Sequence, residues 1–145
     1  MRIVLASGLR AQIEGAARAA FPRECCGLIE GVRVGADIDI VALCPARNLA
    51  AAADRFEVDP ADHFRALRAA RENGRAIVGC YHSHPNGCAE PSVFDRQHAF
   101  GSGFLWLIAA PRRDGYRLQA YVADAEGFVR VAWTESGSAF RGNAC

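Results

Sequence analysis

The segment Ala76-Ile77-Val78-Gly79-Cys80-Tyr81 runs directly into His82-Ser83-His84-Pro85, and this junction constrains the 145-residue chain more than any other stretch. Six successive residues without a charge read as a central strand, flanked on both edges and covered on its faces. Proline has no amide proton for a strand ladder, so Pro85 ends the strand just after the two histidines. Along a strand, residues two apart project from the same face, so the imidazoles of His82 and His84 emerge together at its exposed end.

The rest of the chain supplies the layers such a strand requires. Ile3-Val4-Leu5 is a short strand, and Leu9, Ile13, Ala16, Ala17 and Ala20 recur at helical spacing until Pro22 stops the helix near Phe21. Glu24 to Ile29 reads as a strand ended by Gly31, and Asp37 to Leu43 as a half-buried one. Residues 45–55 form an Ala-rich loop before a short strand at Phe56-Glu57-Val58. Asp59-Pro60 opens a helix with Asp62 reaching back as a cap, and Phe64, Leu67 and Ala70 make its apolar stripe. A short helix from Ser92 to Phe100 and strands at 104–109, 116–123 and 127–134 complete the set. The fold class expected is α/β, a mixed β-sheet flanked by helices. Residues 1–135 form one domain, and residues 136–145, small and polar, a flexible tail.

Composition narrows the chemistry. A net charge of +1 gives no strong field for nucleic acid or a membrane surface. All 17 basic residues are Arg, so there is no Schiff-base lysine and no lysine to accept an isopeptide-linked modifier. The six cysteines (Cys25, Cys26, Cys44, Cys80, Cys88 and Cys145) come without a visible signal peptide, in a chain large enough to fold without staples. Reduced thiols and a cytoplasmic location are the expectation. Nor is any apolar run as long as a membrane span.

Asp95 follows His84 by eleven residues, in the first turn of the Ser92 helix. Its carboxylate can swing onto the ion that the two imidazoles face. Two histidines and a carboxylate make a three-ligand site, the type in which zinc keeps a fourth position for water. Water on such a metal needs a base, and Glu24, within Pro22-Arg23-Glu24-Cys25-Cys26-Gly27, is the best candidate by pattern.

His-Ser-His-Pro, followed by Ser92 and Asp95 eight and eleven residues past the second histidine, resembles the JAMM (MPN+) metallopeptidase motif. The Pro22-x-Glu24-x-Cys26-Gly27 segment is similar to the strand that bears that family's catalytic glutamate, and Asn48, Phe56 and Asp59-Pro60 look like its bacterial members. The resemblance spans about residues 5–125. It implies a cytidine-deaminase-like sheet, one zinc on His82, His84 and Asp95, Glu24 as general base and then proton donor, and Ser92 as hydrogen-bond donor to the oxyanion. The reaction implied is hydrolysis of a peptide or isopeptide bond after the C-terminus of a ubiquitin-like protein or small sulfur carrier. Only Arg96 to Gly103 separates Asp95 from the next strand, too little for the long insertion of the family's chain-selective deubiquitinases.

The residues also carry plainer readings. Ser92-x-x-Asp95 is a capping box by itself. Cys80 shares a strand face with His82 but suits core packing, Cys88 sits in the loop beside the site, and His63 and His98 suit the surface. Asn48, Phe56, Trp106 and Trp133 read as structural. A non-catalytic scaffold or interaction module of the same fold is the alternative function, although scaffolds lose a ligand or the glutamate and this chain keeps them. A zinc deaminase would need His-x-Glu and Pro-Cys-x-x-Cys, which are absent.

Overall fold

The computed structural model describes residues 1–99 and 101–137. Along them run β1 (Ile3–Leu5), α1 (Leu9–Ala20), β2 (Cys26–Val34), β3 (Asp37–Ala46), α2 (Pro60–Glu72), β4 (Ala76–Ser83), α3 (Val93–His98), β5 (Leu105–Arg112), β6 (Gly115–Asp124), β7 (Gly127–Val131) and β8 (Trp133–Glu135). The strands form one mixed sheet in the order β7-β6-β5-β4-β2-β3-β1-β8. As expected, β4 is interior, antiparallel to β2 and parallel to β5.

Two apolar layers cover the sheet. On one face Leu9, Ile13 and Ala17 of α1 join Ile29, Val78, Tyr81, Leu105 and Leu107. On the other, Ala66 of α2 joins Leu28, Cys80, Trp106, Ile108 and Tyr121, and the functional residues gather on this second face. Ile13 is fully buried, and truncating it to Ala would cost about 2–5 kcal/mol.

A single extra residue decides which side chains of β4 reach that face. Ile29 lies opposite Gly79 while Glu30 lies opposite Ile77, so Val78 is a bulge. Ile77 faces the α2 layer and Val78 the α1 layer; past the bulge Cys80 is again on the α2 side and Tyr81 on the α1 side. Strict alternation from Ile77 would have sent Cys80 and His82 into the α1 core. Gly79 is required here for a second reason: a Cβ would sit 2.1 Å from the carbonyl oxygen of Leu105 on β5.

Several expectations shift. β2 begins at Cys26 and continues through Gly31 to Val34, so Glu24 precedes the strand rather than starting it. Phe56–Val58 is not a strand; only an isolated bridge joins Asn48 to Val58. The anticipated final strand divides at Ala132 into β7 and β8, which lie at opposite ends of the strand order. One residue spans them because the sheet curls until its edges meet, where the Trp133 indole N–H donates to Leu118 O at 3.1 Å. Ser136 N–H still donates to Leu5 O at 2.8 Å, and the rest of the proposed tail from residue 138 onward lies outside the described residues, as does Phe100 at the end of the expected Ser92 helix.

The stripe on α2 is corrected as well. Ala66 and Ala70 are buried, whereas Phe64 and Leu67 are 72% and 40% exposed. The first turn sets this rotation. Asp59 accepts from Ala61 N–H and pairs with the Arg47 guanidinium at 2.8 Å, while Asp62 accepts Arg47 N–H at 2.8 Å instead of capping its own helix. Held so, α2 lays its small residues on the sheet.

Candidate metal centre

Beyond the bulge, β4 carries His82 to the α2-side face and ends at Ser83. His84 N–H donates to Ala109 O at 2.8 Å, extending the strand register by one residue and keeping the two imidazoles on one side. Their Nε2 atoms lie 2.9 Å apart. Asp95 Oδ2 lies 3.0 Å from the first and 3.1 Å from the second. All three residues are buried.

Asp95 reaches this point because α3 is fixed by its cap. Ser92 Oγ accepts from Asp95 N–H at 3.0 Å, and Asp95 Oδ2 accepts from Ser92 N–H at 2.8 Å. The capping box and the convergence on the histidines therefore use the same carboxylate oxygen. With Ser92 Oγ accepting, its O–H remains available to donate into the cavity that Ser92 lines with Glu24 and His84.

Glu24 is placed by the segment just before β2. Cys25 N–H donates to Ser83 Oγ at 2.9 Å and Ser83 N–H to Cys25 O at 3.2 Å, tying this segment to the end of β4. Asn48 Nδ2 donates to Glu24 O at 3.1 Å. Ligand atoms of Glu24, His82 and His84 all lie within 4.8 Å of one another. Glu24 is 4% exposed and its Oε1 has no partner among the described residues. Burial pushes its carboxyl up to about 7, opposed by His84 and reinforced by Asp95 and Asp54.

The other groups are tuned differently. Burial tends to raise the Asp95 carboxyl, but hydrogen bonds from His82 and His84 outweigh it and hold the group well below the usual carboxylate range. Burial depresses His82, whereas at His84 burial is overcome by the hydrogen bond to Asp95 and the group is raised. His84 Nδ1 lies 2.8 Å from Cys88 O, so Nδ1–H donates to that carbonyl and the bond fixes the ring with Nε2 turned toward His82 and Asp95. His82 Nδ1 is buried and unpartnered among the described residues; the Phe56 ring stacks on this imidazole at 4.4 Å instead.

This donor set fits a divalent metal. A tetrahedral ion with bonds of about 2.0–2.1 Å sets its ligand atoms about 3.3 Å apart. The three edges of the His82–His84–Asp95 triangle, 2.9, 3.0 and 3.1 Å, come within a few tenths of that. The unpartnered Glu24 oxygen beside them suits a group that exchanges a proton.

The family profile described as prokaryotic homologs of the JAB domain matches residues 6–124. The chain belongs to this family. As a JAB-domain protein it is 36% identical over 94 residues to a desampylase of Haloferax volcanii, covering 62% of this chain and 64% of that protein. It is 32% identical over 95 residues to tail tip assembly protein K of Escherichia phage N15, covering 65% of this chain and 35% of that one. The aligned region thus spans less than two thirds of each curated relative. Among solved structures, a Desulfitobacterium hafniense protein has TM-score 0.85 at 28% identity, with 92% of both chains covered. A JAB1/MPN domain protein of Archaeoglobus fulgidus shares the fold, with TM-score 0.55, 20% identity and coverage of 92% of this chain and 96% of that one. The JAMM/MPN resemblance and the mixed α/β fold are borne out.

The JAB-domain chain places other expected residues plainly. Cys80 is buried in the α2-side layer, and burial raises its thiol. Cys88 is exposed and lines the smaller cavity, of about 330 Å³, with Glu24 and His84. His63 and His98 line a larger one, of about 740 Å³, with Phe56 and Trp106 and reaching Asp95. Cys25, Cys26, Cys80 and Cys88 are free thiols. Ser83 bonds to the Cys25 backbone, Asn48 to the Glu24 backbone, and Phe56 stacks on His82, although the sequence marked none of them as functional. The one signal for the last two was their place in the family-like pattern between the motifs. Among the described residues no helix is long and apolar enough to cross a membrane.

Proposed function

We propose that the protein is a zinc-dependent peptidase that hydrolyses the bond after the C-terminus of a ubiquitin-like or sulfur-carrier protein, in the cytoplasm. The observation that carries this reading is the buried triangle of His82 Nε2, His84 Nε2 and Asp95 Oδ2, with edges no longer than 3.1 Å, beside the unpartnered carboxylate oxygen of Glu24. Those three residues hold the metal. Zinc supplies Lewis-acid polarisation of the scissile carbonyl and makes water more acidic. The relative named desampylase agrees with hydrolysis.

Glu24 takes a proton from the attacking water and returns it to the leaving amine. Burial raises this carboxyl in the metal-free protein, and a cation on the adjacent triangle would draw it back toward the carboxylate that accepts the proton. The Ser92 hydroxyl donates to the oxyanion. Burial of the histidines and Asp95 excludes bulk water and strengthens these interactions. The absence of Lys means that the protein cannot itself be modified on a lysine by its substrate carrier.

The first test is zinc per chain by elemental analysis, on wild type and His84→Ala purified without added metal. One zinc in the wild type and none in the variant is expected; a wild type that also refuses added zinc overturns the assignment. Glu24→Gln is then expected to keep zinc and lose hydrolysis of a ubiquitin-like carrier bearing a C-terminal extension.

A further inference from the structure

The two imidazoles of the triangle are oriented by different means. His84 is held through Nδ1 by Cys88 O at 2.8 Å. Metal-ligating histidines ordinarily have such a partner, and it fixes ring orientation. His82 has none among the described residues. Its ring instead packs against aromatic groups: Phe56 stacks on it at 4.4 Å with 27° between planes, and Trp106 meets it edge-on at 5.7 Å and 84°. Phe56 in turn packs against Trp106 at 5.9 Å.

Phe56 belongs to a loop with almost no ladder of its own, so something must hold the ring there. Asn48 does so with all of its side-chain capacity. Its Oδ1 accepts from Ala50 N–H at 2.9 Å and Glu57 N–H at 3.0 Å, and its Nδ2 donates to Arg55 O at 3.2 Å as well as to Glu24 O. Leu49 N–H to Glu57 O, at 2.8 Å, closes the same loop. The residues flanking Phe56 on both sides are thus fastened to one asparagine, which is also fastened to the Glu24 backbone.

We infer that Phe56 is a positioning residue of the metal site, its ring fixing the His82 imidazole so that Nε2 points at His84 and Asp95, with Asn48 holding Phe56 in register. This inference rests on the reading of His82 as a ligand. A smaller group in place of the ring leaves His82 restrained only by Trp106 and by the contacts of its Nε2 edge, since no hydrogen bond at Nδ1 holds the far side of the imidazole.

The test compares Phe56→Ala, Phe56→Leu and Phe56→Tyr with a control, Phe128→Leu. Phe128 packs edge-on against the same Trp106 at 5.1 Å, and no ring contact joins it to His82. Zinc dissociation constants are measured by chelator competition, and the His82 side-chain resonances are followed by NMR in the chelator-treated protein. Phe56→Ala and Phe56→Leu are expected to weaken zinc by about 10-fold or more, as loss of an outer-shell partner does. Phe56→Tyr should stay within about threefold of wild type, and Phe128→Leu should lower the melting temperature without weakening zinc. The Leu variant keeps the experiment decisive should the Ala variant fail to fold. Zinc binding by Phe56→Leu equal to wild type overturns the inference. A wild type that binds no zinc removes the metal reading, and the NMR then decides: a single ordered His82 ring in wild type that becomes mobile in Phe56→Leu supports the positioning role, and unchanged His82 signals overturn it.

Discussion

Replacing Glu24 by Gln should stabilise the metal-free protein, and only above a definite pH. In the folded chain the Glu24 carboxyl is pushed up from an ordinary 4.5 to about 7, chiefly by burial. Between those values the unfolded chain has released the proton and the folded chain retains it. Folded stability therefore falls as pH rises through this window, and the loss is complete above about 7. At about 1.4 kcal/mol per pH unit, the gap from 4.5 to about 7 corresponds to about 3 kcal/mol. The cavity that Glu24 lines opens to solvent, and screening there reduces the expected effect to about 2 kcal/mol. Gln carries no titrating proton, so the difference in unfolding free energy between Glu24→Gln and wild type should grow by that amount from pH 4 to pH 8. For a chain of this length, 2 kcal/mol is a melting-point gain of about 4–8 °C. The assay is urea unfolding of chelator-treated protein at half-unit pH steps. His82, His84 and Asp95 titrate in both proteins, and because His84 is coupled to Glu24 its own titration moves with the substitution, so the readout is the growth of the difference between pH 4 and pH 8 and not its value at one pH. Parallel curves, with a gap constant to about 0.5 kcal/mol across the range, would refute the reasoning that Glu24 is a desolvated, unpartnered carboxyl.

Two further substitutions probe the frame of the site. Ser92→Ala should retain zinc, lower turnover by about 10²–10³-fold through the lost oxyanion donor and cost about 1 kcal/mol through the lost cap of α3; turnover within threefold of wild type would leave Ser92 as a cap alone. Gly79→Ala should lower unfolding free energy by about 3 kcal/mol, because the new methyl meets Leu105 O on the adjacent strand. An unchanged urea midpoint would show that β4 and β5 are not pressed together at that point.

Much of this was legible along the chain. The uncharged run at 76–81 announced an interior strand because only a strand covered on both sides tolerates so few polar residues. Ser92 and Asp95 were readable both as a cap and as part of a ligand set; the structure shows the cap and turns the same carboxylate oxygen toward the two imidazoles. The apolar stripe of α2 was misread because Phe64 and Leu67 have helical spacing and greater hydrophobicity than the alanines. Hydrophobicity does not say which face a helix lays down when its first turn is anchored by Asp59 and Asp62 to Arg47.

Local spacing by itself determined that His82 and His84 share a side, that Pro85 ends their strand, and that Asp95 begins a capped helix eleven residues later. All of these follow from backbone geometry over a few residues. Tertiary structure alone decided which side that is. The bulge at Val78 exists because β2 pairs Ile29 with Gly79 and Glu30 with Ile77, a register set by a strand almost fifty residues away. Contacts that orient the site are equally remote: Phe56 on His82, Ser83 on Cys25, Asn48 on the Glu24 backbone. A one-residue register shift reverses every side chain beyond it, and no local pattern records a shift imposed by a distant partner.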